Sequence, residues 1–110
     1  MFIDIYTHIF PGDYFAKMSQ AAPKLENIGK RMQAVAALHD LDERFRQMDP
    51  FGDYRQIISL PNPPLEEVTD PEIGTELARV ANDAMAELVH RHPDRFPAFV
   101  AAIPVRLATR

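Results

Sequence analysis

Polar and apolar residues alternate along Ile3-Asp4-Ile5-Tyr6-Thr7-His8, the pattern of a β-strand with one apolar and one polar face. Successive strand side chains point to opposite faces. The pattern therefore puts Asp4, Tyr6 and His8 on one face, with Ile3 and Ile5 on the other, suited to packing under helices. The strand covers about residues 2–8 and ends in His8, and Pro11-Gly12 follows as a turn. From Asp13 to Gln20, Tyr14, Phe15 and Met18 share one side of a short helix. Residues 21–38 hold Pro23, Gly29 and the pair Lys30-Arg31 without a clear period, and read as an insertion.

The period then becomes helical. Leu41, Phe45 and Met48 fall at i, i+4 and i+7, predicting a helix over about 40–48 with Asp40 as its N-cap and Pro50 and Gly52 beyond its end. A β-branched run predicts a second strand at about 54–60, closed by Pro61-Asn62-Pro63-Pro64, a stiff loop poor in backbone donors. A longer helix spans about 71–91, with Ile73, Leu77, Val80, Ala81, Ala84, Leu88 and Val89 as its apolar stripe. Asp70 as N-cap, Pro71 and Glu72 mark its start; His90, Arg91 and His92 suit the negative end of its dipole, and Pro93 stops it. Residues 96–103 are nearly all apolar, as a strand buried on both faces should be. The order β-α-β-α-β predicts an α/β fold with a parallel sheet and right-handed crossovers.

Composition narrows the function. The chain has 110 residues, net charge −4, 46% apolar residues and no cysteine, ordinary values for one small globular unit. The lack of cysteine removes thiolate metal sites and disulfides. Clustered basic residues, which nucleic-acid binding requires, are absent, so no nucleic-acid partner is expected. Asp4 and His8 interrupt the first apolar run, and no stretch nears the ~20 apolar residues of a membrane span. A cytoplasmic protein is the expectation.

Asp4-Ile5-Tyr6-Thr7-His8 followed by Ile9-Phe10-Pro11 resembles the opening of the amidohydrolase-related family, in its aminocarboxymuconate-semialdehyde-decarboxylase-like branch. The resemblance continues through Leu41-Asp42-Glu43-Arg44-Phe45-Arg46-Gln47-Met48-Asp49, Gln56 to Pro64, Ala81-Asn82-Asp83 and His92-Pro93-Asp94-Arg95-Phe96, leaving out about residues 16–38. It implies the N-terminal β-α-β-α-β portion of a (β/α)8 TIM-type barrel. Such barrels take ~250 residues, so residues 1–110 are expected to form an incomplete barrel domain, with the insertion lying over its mouth.

The family's first strand carries Asp-x-His-x-His, whose two imidazoles bind a metal, most often zinc. By resemblance His8 is a metal ligand. Tyr6 stands where the family has its other histidine, and a phenol of pKa about 10 is a poorer ligand than neutral imidazole. The bland alternatives are a hydrogen-bonded strand-end role for His8, and barrel filling or contact with a metal-bound water for Tyr6. Asp4 reads as a structural polar residue. Asn62 is either a substrate-loop residue or a turn residue. Asp40 of the His39-Asp40 pair reads as a helix cap, His90 and His92 as dipole-complementing or solvated groups, and Lys30-Arg31 as a solvated surface pair, with contact to a substrate carboxylate as its alternative. The family's remaining metal ligands and its catalytic Asp come from later strands that this sequence does not contain. His8 and a phenol alone would hold a cation weakly, since catalytic zinc takes three protein ligands.

The implied function is that of a metal-dependent hydrolase or non-oxidative decarboxylase acting on a small carboxylic acid or amide, with this portion inactive by itself. The rival expectation is a non-catalytic α/β interaction module that forms homo-oligomers through open sheet edges. A nucleotide-binding doubly wound fold is disfavoured, because no Gly-rich turn follows the first strand.

Overall fold

A computed structural model of the chain describes residues 1–12, 14–21, 35–61 and 71–103. The fold is mixed α/β. Its sheet has three parallel strands in the order β1 (Phe2–His8), β2 (Tyr54–Ser59) and β3 (Ala98–Phe99). The helices are α1 (Tyr14–Ala21), α2 (Ala36–His39), α3 (Leu41–Met48) and α4 (Pro71–Arg91), with a 3₁₀ turn at Asp49–Phe51 after α3. Among the described residues no helix is long and apolar enough to cross a membrane.

The local signals act through identifiable bonds. The Asp40 carboxylate accepts from the N–H groups of Asp42 and Glu43 at 3.0 and 3.3 Å, satisfying donors that the first turn of α3 leaves orphaned. Pro71 opens α4 and Glu72 sits in its first turn; Asp70 lies outside the described residues. Gly12 and Gly52 adopt φ values of +56° and +69°, which let the chain reverse after β1 and before β2.

The core lies on the side of the sheet that carries Ile58, which is fully buried. There Met48 of α3, Tyr14 and Met18 of α1, and Leu77, Ala81, Met85 and Leu88 of α4 close around it with Phe96. The buried stripe of α4 is rotated from the expected one: Ala78 and Met85 are inside, whereas Ile73 is 40% exposed. Burial of Arg44, adjacent to the predicted apolar position Phe45, is a further departure.

Two expectations for the strands need correction. Ile3 and Ile5 do not pack under helices; they are 46% and 77% exposed, and β1 is anchored instead by buried Thr7 and by Ile9 and Phe10 beyond its end. The register explains this. Asp4 pairs with Gln56 but Thr7 pairs with Ile58, so two β1 residues oppose one in β2, a β-bulge that reverses the alternation. The third strand is also shorter than 96–103. Its ladder covers Ala98 and Phe99, and Val100 N–H adds a bond of 2.8 Å to Ile58 O. Phe96 N–H is already committed to His92 O at 2.8 Å. Further on, the Asn82 side chain takes both the N–H and the C=O of Ala102, at 2.7 and 2.9 Å, away from the sheet. Nor is the strand buried on both faces: Ala98 is exposed and Val100 is 56% exposed.

Candidate active site

The parallel ladder sets His8 directly beside Ser59, so the C-terminal ends of β1 and β2 form one small platform. Partners in a parallel ladder point the same way, and Ser59 lies three positions after Gln56. The Asp4–Gln56 pair and the His8–Ser59 pair therefore occupy opposite faces. Asp4, Tyr6 and His8 were expected on one face; Asp4 is not there. Its Oδ2 accepts from Tyr54 Oη at 2.9 Å on the helix side, while Oδ1 accepts from Tyr6 N–H at 3.0 Å. That second bond satisfies a donor at the bulge, so Asp4 serves as its clasp.

His8 is half-buried, and its Nδ1 lies 3.1 Å from Ser59 Oγ. Ser59 Oγ also donates to Thr7 O at 2.9 Å, and Thr7 Oγ1 donates to Ile57 O at 2.7 Å. The Tyr6 ring meets the His8 ring edge-on, with centroids 5.0 Å apart and planes at 73°, and is 80% exposed. The two residues thus come together, on the face that also carries Ser59 and exposed Ala98.

Beneath the platform, Arg44 of α3 reaches the strand ends from the other side. Its Nε donates to Ala37 O at 2.9 Å, its Nη1 to Gln56 Oε1 at 2.7 Å, and its Nη2 to His8 O. Gln56 Nε2 donates onward to Tyr54 Oη at 3.2 Å. A continuous polar chain thus runs from His8 O through Arg44, Gln56 and Tyr54 to Asp4 and the Tyr6 N–H. Burial lowers the Arg44 pKa to about 10, which leaves it charged at neutral pH. Burial also raises the Tyr54 phenol above its usual value, so it stays a donor. A cavity of about 380 Å³ adjoins this chain, lined by Thr7, Arg44, Met48, Tyr54 and Gln56 among others.

As donors for a divalent metal, the residues present fit in part. The His8 imidazole keeps Nε2 away from the Ser59 contact, a suitable single donor, and its neighbour Tyr6 offers a phenol. Among the described residues no group of three or more His, Cys, Asp or Glu side chains stands together. Asn62, the rest of its loop from residue 62 to 64, and Lys30-Arg31 lie outside the described residues. His39 stacks on Phe10 with centroids 5.2 Å apart, His92 meets Phe45 edge-on at 5.1 Å, and His90 is exposed at the end of α4. None of the three joins His8.

Ser59, Arg44 and Gln56 escaped the sequence reading. A signal existed for Arg44, which lies three residues after Leu41 and so inside the apolar stripe of α3. Ser59 carried none, because its value depends on the register between strands.

No family model matches the chain. It is 33% identical over 96 residues to a gamma-resorcylate decarboxylase of Rhizobium radiobacter, covering 87% of this chain and 24% of that protein. A gamma-resorcylate decarboxylase of Polaromonas sp. strain JS666 is 42% identical over 65 residues, covering 59% of this chain and 20% of the relative. The enzyme of that name from Rhodococcus jostii is 37% identical over 65 residues, with the same coverage. The chain spans at most about a quarter of the length of the curated relatives it matches.

Proposed function

We propose that residues 1–110 form the N-terminal part of a (β/α)8-barrel enzyme of the amidohydrolase-related family, a cytoplasmic non-oxidative decarboxylase of a small aromatic carboxylic acid. The observation that carries this reading is the position of His8: an imidazole at the C-terminal tip of a parallel strand, on the sheet face that no helix among the described residues covers. Active sites of α/β barrels gather at that end of the strands. The resemblance of the sequence and the names of the relatives support the same reaction class.

Non-oxidative decarboxylation breaks a C–COO⁻ bond. The bonding pair stays on carbon, carbon takes a proton, and CO₂ departs. A divalent cation, with zinc the expected one, would supply positive charge near an oxygen of such a substrate. Within this chain His8 would hold it through Nε2, and Tyr6 beside it would line the same mouth. Asn62 remains the candidate substrate contact from the loop after β2.

Metal analysis and CO₂ release from the full-length protein test the reading. His8→Ala should abolish stoichiometric metal and decarboxylation, whereas Tyr6→His should tighten metal binding by about tenfold, the effect of ~1.4 kcal/mol. Full metal content in His8→Ala would remove the reading. A second reading, a non-catalytic module that associates through its sheet, is favoured by the exposed apolar residues Ile3 and Ile5 on edge strand β1. It predicts dimers in sedimentation that Ile5→Lys dissociates, with no CO₂ release by the wild type.

A further inference from the structure

The hydroxyl of Ser59 has one proton and two neighbours, Thr7 O at 2.9 Å and His8 Nδ1 at 3.1 Å. A backbone carbonyl can only accept. If the proton went to the imidazole, two lone-pair oxygens would face each other at 2.9 Å without a hydrogen between them. The proton therefore belongs to Thr7 O, and Ser59 Oγ is left with lone pairs toward the ring. The contact to His8 is then a hydrogen bond only if Nδ1 carries the hydrogen.

We propose that Ser59 is a positioning residue that holds His8 as the Nδ1–H tautomer, so that Nε2 presents its lone pair to a divalent cation. The inference deepens the reading of His8 given above and rests on it. Ligand histidines commonly donate their second ring N–H to a fixed acceptor, which sets tautomer and ring direction together. The platform here is suited to that task from both faces. Ser59 ties the ends of β1 and β2 on one side, and from the helix side Thr7 Oγ1 bonds Ile57 O while Arg44 holds the His8 carbonyl. Ring and backbone are thus fixed independently.

The tautomer is read directly from long-range ¹H–¹⁵N correlation spectra of metal-free, histidine-labelled protein, at a pH where the imidazoles are neutral. The sequence has four histidines, and His8→Gln identifies the His8 signals. The wild type should show His8 as Nδ1–H. Ser59→Ala should move it toward Nε2–H, the form free histidine prefers, and Ser59→Thr should restore Nδ1–H. In the full-length protein, Zn²⁺ affinity measured by chelator competition should fall about 10- to 100-fold in Ser59→Ala and recover in Ser59→Thr. An Nε2–H ring in the wild type, or an unchanged tautomer in Ser59→Ala, overturns the proposal. So does a tautomer change that leaves Zn²⁺ affinity intact. These results are distinct from metal retention in His8→Ala, which would instead remove the enzymatic reading.

Discussion

The two faces of the three-stranded sheet are built on different principles. The helix side holds fully buried Ile58 and a polar chain in which Asp4, Tyr54, Gln56 and Arg44 each find partners. On the other side, Ile3 and Tyr6 are 46% and 80% exposed, and His8 is bonded to Ser59. The bulge after Asp4 shifts the alternation of β1, so that Asp4 falls on the first face and His8 on the second. Stability is concentrated on the first face, and the candidate chemistry on the second. A binding face gains from such separation, because its residues change without the loss of core contacts.

Paired truncations offer the sharpest way to break that comparison. Ile58→Ala removes buried methyl groups from a packed site and should cost about 3 kcal/mol in urea denaturation. Ile3→Ala, on the open face, should stay within about 0.5 kcal/mol in the same assay, the range of surface substitutions. Comparable losses from the two variants would mean that the second face is covered in solution.

Arg44 should follow in size. Arg44→Met keeps the stem but leaves Ala37 O, His8 O and Gln56 Oε1 without their donor in a buried setting, a loss of about 2–3 kcal/mol. Arg44→Lys restores charge but not the fork that reaches three acceptors, so it should recover only part of that stability in denaturant unfolding. Full recovery would show that charge, rather than geometry, holds the strand ends.

Arg44 also marks how far the fold was legible in the sequence. The parallel α/β arrangement follows from local patterns: β-branched runs in β1 and β2, a cap at Asp40, and a helical stripe in α4. What escaped depends on partners distant in sequence. Alternation along β1 gives no hint that the Asp4 carboxylate will capture the Tyr6 N–H and shift the register. Apolar content alone overextends β3, because nothing local shows that Asn82 will claim Ala102. A charged residue on a helix reads as solvated until β2 supplies a glutamine and β1 a carbonyl. The site is legible in the same proportion. His8 stands out by its place at a strand end, whereas Ser59 becomes meaningful only once strand pairing sets it beside that ring.

The smallest effect belongs to the outer side of α3, where Glu43 immediately precedes buried Arg44. Arg46 donates to Glu43 from Nε at 2.7 Å and from Nη2 at 2.5 Å, and Gln47 donates at 3.0 Å. The bond from Arg46, followed by that from Gln47, lowers the Glu43 pKa from 4.5 to about 2. A carboxylate with a depressed folded-state pKa binds fewer protons folded than unfolded in that interval. Its stabilisation is therefore complete above about pH 4.5 and is lost as pH falls toward about 2. Solvent around this pair keeps the contribution small. Glu43→Gln should accordingly flatten the acid limb of a stability–pH curve within that window and leave neutral stability nearly unchanged. Arg44 imposes no slope there, since its lowered value of about 10 lies far above the window. An acid limb that Glu43→Gln leaves untouched would place the acid sensitivity of the fold elsewhere.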